Sequence, residues 1–114
     1  MTFENLPEFE KDLKALQKKY RSLPDDLEII RLILTAKPDA RPPFSFRIDQ
    51  LGLKTCVIKV KKIACRSLKG KGVNTGLRLV YAHFELDDRI VFVEIYHKQE
   101  QEMENRARIM ANFK

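Results

Sequence analysis

Residues 77–98 read LRLVYAHFELDDRIVFVEIYHK, and the reading of that stretch decides the fold. Leu77 to Leu86 and Arg89 to Tyr96 are two runs rich in β-branched and aromatic residues. Such side chains favour the pleated, half-buried surface of a strand. Asp87-Asp88 between the runs predicts a tight hairpin turn. Just upstream, Ser67 to Gly76 holds three of the four glycines and reads as a loop. Before that loop the period is again two: Cys56, Ile58 and Val60 alternate with Val57, Lys59 and Lys61. This predicts a further strand over about residues 54–65, with one basic side. Strands joined by short links form an antiparallel sheet.

Helices are expected on both flanks. Phe9, Leu13, Leu16 and Tyr20 share one helical face, which predicts a helix from Pro7 to Arg21, with Asn5 as N-cap and Glu8 closing a capping box. Ser22 and Pro24 open a second helix that Pro38 stops near Ala36 or Lys37. Two helices so closely joined form an antiparallel hairpin. Residues 38–53 carry Pro38, Pro42 and Pro43 beside Phe44, Phe46, Ile48 and Leu51, and read as a packed loop. Gln99 to Phe113 reads as a terminal helix, with Glu100, Glu102 and Glu104 complementing the dipole at its start or holding basic side chains in place. The expected class is α+β: a helical hairpin packed on one face of a three- or four-stranded antiparallel sheet, the other face partly open.

Length and composition agree with one domain spanning residues 1–114. The 13.4 kDa chain is 44% hydrophobic and 33% charged, which is globular rather than disordered. Its apolar runs are too short to cross a membrane. Met1 to Glu10 has no Lys or Arg and does not read as a signal peptide, so a cytoplasmic protein is expected. Cys56 and Cys65 match no zinc-ligand spacing and read as small core residues; no metal or cofactor is expected.

Charge is distributed unevenly. Residues 54–81 hold Lys54, Lys59, Lys61, Lys62, Arg66, Lys69, Lys71 and Arg78 and no carboxylate, against a net charge of +6 for the whole chain. That points to a polyanion surface, with an ordinary basic solvated face as the plainer reading. An Arg at position 78, among Leu77, Leu79 and Val80, is an odd choice for a core and suits a bidentate phosphate clamp. Lys59 and Lys61 lie two apart on one strand and so share a face, where they serve either a polyanion or the protection of a strand edge.

The helical hairpin, the segment IKVKKIACR at 58–66, GLRLVY at 76–81 and IVFVEIYHK at 90–98 resemble the RelE/ParE superfamily of toxins from bacterial type II toxin–antitoxin modules. The resemblance implies a RelE-like fold and a ribosome-dependent, metal-independent mRNA endoribonuclease, neutralised by a cognate antitoxin. It implies a catalytic set of Arg78, His97 and Lys98. Lys59, Lys61, Lys62, Arg66, Tyr81, Tyr96 and Arg106 would then contact RNA. His97 would shuttle a proton and Lys98 would stabilise the phosphate. Gln99 stands where many RNA-cleaving members have Arg, and the terminal helix has no Tyr. A ParE-like, non-enzymatic gyrase inhibitor and a non-toxic RNA-binding protein are therefore the alternatives.

Overall fold

The computed structural model describes residues 1–114. In chain order it contains β1 (Thr2–Asn5), α1 (Pro7–Gln17), α2 (Leu23–Ala36), β2 (Ser45–Arg47), β3 (Cys56–Val60), β4 (Leu77–Phe84), β5 (Arg89–His97) and α3 (Arg106–Phe113). The class is α+β, as expected. The sheet, however, has five strands in the order β1-β5-β4-β3-β2. It is mixed rather than antiparallel throughout, because β1 runs parallel to β5. No helix is long and apolar enough to cross a membrane.

Both unexpected strands are edge strands. β1 is four residues with no apolar alternation of its own; the ladder with Arg89–Phe92 organises it. β2 is three residues in a proline-flanked segment read as loop, and it pairs antiparallel with Ile58–Val60. A strand that short leaves little periodic signal, so its pairing partner decides its state. The basic strand is shorter than expected, Cys56–Val60, with Ile63 continuing to an isolated bridge with Asn74. The β4–β5 link is a 3-10 turn at Glu85–Asp87 closed by Asp88 at φ 48°. Asp tolerates that left-handed conformation better than most residues.

The helix termini also differ from expectation. α1 stops at Gln17, four residues early. Asn5 is not its N-cap: its backbone is committed to the β1–β5 ladder, Leu6 holds the cap position, and the Asn5 amide donates to Glu10 Oε1 at 2.7 Å. Ser22 sits at the cap of α2, yet its hydroxyl donates to Asp26 Oδ2 at 2.7 Å and accepts the Ser67 N–H at 2.8 Å. α3 begins at Arg106 instead of Gln99. The intervening segment is drawn onto the sheet by buried Glu94, which accepts from the Gln101 side chain at 2.7 Å and the Asn105 N–H at 2.8 Å. Asn105 then caps α3 by accepting the Arg108 N–H.

Two apolar layers follow from the strand period. Phe9, Leu16, Leu27, Ile30 and Leu34 of the hairpin pack on Ile58, Val60, Leu79, Tyr81, Phe92 and Ile95. On the opposite face Val57, Val80, Ala82, Val91, Val93 and Tyr96 meet Ile109 of α3. A bulge lies between them: Val80 pairs with Glu94 but Tyr81 with Phe92, leaving Val93 as the extra residue. A single eight-residue helix cannot cover this whole face. The part over β2, β3 and the start of β4 stays open, and the basic residues lie there.

Candidate nucleic-acid interface

Strand parity assembles the site. Lys59 is two residues from Val57 and Arg78 two from Val80, so both project on the α3 side of the sheet. Phe46 lies opposite Lys59 across β2–β3, and Tyr96 opposite Arg78 across β4–β5. Lys61 continues the parity of Lys59 past the end of β3. The result is a depression of about 220 Å³ whose cations are Lys61, Lys62, Arg78 and Lys98, with Phe46 and Asn74 in its wall and no carboxylate in it. None of the four cations belongs to an ion pair.

The four differ in how firmly they are held. Arg78 is half-buried, and its Nη1 donates to the carbonyls of Lys61 and Leu77, each at 3.1 Å. Its Nη2 and Nε have no protein partner, so one end of the guanidinium is anchored and the other is free to bind an anion. Lys62 Nζ donates to Asn74 Oδ1 at 2.8 Å. Lys61 Nζ sits 4.8 Å from the Phe46 ring centroid, a cation–π contact that leaves its donors available. Lys98 is exposed, with its backbone N–H bonded to Gly76 O at 2.9 Å.

A second depression of about 240 Å³ continues from the first through Phe46 and Lys61. It contains Lys59 and Arg106, and these two cations are spoken for. Lys59 Nζ lies 2.7 Å from Glu104 Oε1, and Arg106 Nε 3.2 Å from Glu104 Oε2. The Glu104 side chain is only 3% exposed. Burial works against its charge, but the bonds from Lys59, from its own backbone and from Arg106 prevail, and its pKa stays below the ordinary glutamate value. Glu104 therefore precedes α3 and holds basic side chains; it does not serve the helix dipole.

Four of the sequence candidates line neither depression. Arg66 lies away from the depression, 3.4 Å from Asp25 and 3.8 Å from Asp26 at the start of α2. Tyr81 faces the helical hairpin, fully buried, and donates to Pro38 O at 2.6 Å; burial pushes its phenol up. Tyr96 points to the right face but is buried beneath the α3 layer; burial, with Glu104 and Glu94 nearby, pushes its phenol up to about 12. Neither ring offers a face for a base to stack on.

His97 is the fourth. The Gln99 N–H donates to its Nδ1 at 3.1 Å, which makes Nδ1 an acceptor. Nε2 therefore carries the proton and donates to Thr75 O at 2.9 Å. Both ring nitrogens are committed and the residue is buried, so His97 here joins the end of β5 to the start of β4 and is no free proton shuttle. Its ring also fixes Gly76: a Cβ there would lie 2.8 Å from the imidazole, and φ is +84°.

Phe46 and Asn74 are functional candidates that sequence reasoning missed, whereas Glu104 follows the second of its two expected readings and holds basic side chains. Phe46 had a signal, in the excess of aromatic residues over what a loop needs. Asn74 had none, since only the Ile63–Asn74 bridge brings it to the depression. Comparison of the sequence with models of protein families finds no match, and comparison with curated proteins finds none either.

Proposed function

We propose that this chain is a RelE-like toxin of a type II toxin–antitoxin module, acting on ribosome-bound mRNA as a metal-independent endoribonuclease. The observation that carries the reading is the depression with four cations and no carboxylate, centred on a half-anchored Arg78. The helical hairpin on one face of the sheet and a C-terminal helix on the other support it, as does the resemblance of residues 58–66, 76–81 and 90–98.

In this reading the RNA 2′-OH gives its proton to solvent water as its oxygen attacks the adjacent phosphorus, and the P–O5′ bond breaks to leave a 2′,3′-cyclic phosphate. Arg78 offsets the charge that grows on the phosphoryl oxygens, and an ammonium of Lys61, Lys62 or Lys98 donates a proton to the departing 5′-oxygen. The requirement for a 2′-OH limits the substrate to RNA. A cognate antitoxin whose acidic segment covers residues 54–81 would hold the toxin inactive by occupying the same cations.

The engagement of both His97 nitrogens favours a second reading, in which the groove binds without cutting, as in a ParE-like gyrase inhibitor or a plain RNA-binding protein. Induced expression with transcript 5′-end mapping separates the two. New ends inside coding regions with the wild type, absent with Arg78→Ala, are expected. Growth arrest without new ends, together with inhibited supercoiling by purified protein, would transfer the case to the second reading.

A further inference from the structure

The chain at Gly76 is the partition between the basic depression and a separate, more enclosed hollow of about 300 Å³. Its buried wall is made by Tyr20 and His97, whose rings are stacked with centroids 6.1 Å apart, by Thr75 and by partly buried Leu68. Its mouth carries Lys71, Asn74 and Gln99. Lys98 and Asn74 border both spaces.

The polar inventory of this hollow is selective. His97 is satisfied on both nitrogens, and the Thr75 hydroxyl donates to Ile63 O at 2.6 Å. Asn74 uses its Oδ1 on Lys62, which leaves its Nδ2 without a partner. The side-chain amide of Gln99 bonds to nothing in the protein; only its backbone N–H is used. A wall of two aromatic rings and a leucine whose polar neighbours are already satisfied, a few unpaired amide groups at the mouth and cations on the adjoining side form the layout of a nucleotide site. A base enters the hollow and its phosphates stay outside with the cations. A neutral amide at position 99 presents a donor and an acceptor side by side, as the edge of a base does, whereas a cation there would address phosphate.

We propose that this hollow binds one unpaired base of an RNA strand whose phosphates occupy the Arg78 depression, and that Gln99 reads the edge of that base. The proposal rests on the polyanion reading of the depression. Gly76 is what allows the two spaces to touch: it adds no side chain to the partition, and any Cβ would strike His97.

The test is binding of two probes of equal charge. One is a 2′-O-methylated oligoribonucleotide, which cannot be cleaved; the other is the same ribose-phosphate chain without bases. The wild type should bind the base-bearing probe about tenfold more tightly, the usual size of one well-held base. Gln99→Leu should remove most of that ratio while leaving affinity for the baseless probe unchanged. Arg78→Ala should weaken both probes alike. Because Gln99 is exposed, its variant should fold, and an unchanged thermal melt checks this. Equal binding of the two probes by the wild type, or a ratio untouched by Gln99→Leu, overturns the base site while leaving the phosphate depression standing. Failure of both probes to bind overturns the two together.

Discussion

Lys59 and Lys61 are the same residue type, two positions apart, on the same side of β3 and its continuation, and they do different things. Lys59 is 18% exposed and held by a buried carboxylate at 2.7 Å. Lys61 forms no ion pair and lies against an aromatic ring. A run of positive charge therefore does not mark a binding surface by itself. What marks it is the subset of cations that the fold leaves without an acid, and that subset depends on where distant carboxylates come to rest. Glu104 removes Lys59 and Arg106 from the free set. Asp25 and Asp26 remove Arg66. Of the cations lining the two depressions, Lys61, Lys62, Arg78 and Lys98 remain unpaired.

The largest expected effect of breaking this contrast is on stability. Glu104→Gln strands the largely buried Lys59 ammonium beside a neutral amide. Removing one partner of a buried pair costs several kcal/mol, and partial access of water to Lys59 trims this to about 2–3 kcal/mol. Lys61→Met breaks only a cation–π contact and should cost less than about 1 kcal/mol. Urea denaturation of the two variants measures both. If Glu104→Gln proves as mild as Lys61→Met, the pair does not hold the segment before α3 on the sheet.

The two arginines of the acid-free stretch give the next contrast. Arg78→Ala should weaken binding of a single-stranded RNA by about tenfold or more, the range of a charge-assisted bond to phosphate. Arg66→Ala, from the same basic run but engaged at α2, should leave affinity unchanged within about twofold. Equal losses would return the polyanion surface to the sequence run as a whole.

Acidity separates the two lysines a third way. The folded-state pKa of Glu104 lies below the ordinary value of 4.5. The stability it contributes is then full above that value and is lost as pH falls through the lower, folded one. The stability gap between wild type and Glu104→Gln should be constant near neutrality and narrow below pH 4.5. Lys61→Met should show no such narrowing relative to wild type. A gap that persists unchanged to strongly acid pH would mean that Glu104 contributes through shape and not through charge.

The sequence made some of this legible and hid the rest for physical reasons. β3, β4, β5 and both hairpin helices announce themselves through long runs of one period, because each buries a continuous stripe. β1 and β2 are four and three residues long and exist only through their neighbours. The N-terminal half of the expected last helix is lost to Glu94, whose pull on Gln101 and Asn105 is a contact across the sheet and leaves no local trace. For the site, parity alone foretold that Lys59 and Lys61 share a face, and the chain context singled out Arg78. Nothing local shows that Thr75 and Gln99 occupy both nitrogens of His97, since these bonds depend on how the ends of β4 and β5 meet.

The smallest effect is also the most discriminating. A cation that touches an RNA phosphate releases counterions when it binds, and each such contact on a single strand adds about 0.7 to the slope of log affinity against log salt. Lys61→Met should lower that slope by about this amount. Lys59→Met should leave it unchanged, because Lys59 is already neutralised by Glu104 in the free protein and gives up no partner on binding. Equal decrements for the two variants would carry a specific meaning: Glu104 releases Lys59 when RNA arrives. The second depression, with Arg106 at its far side, would then be part of the bound track, and Glu104 would be a carboxylate that the RNA backbone displaces.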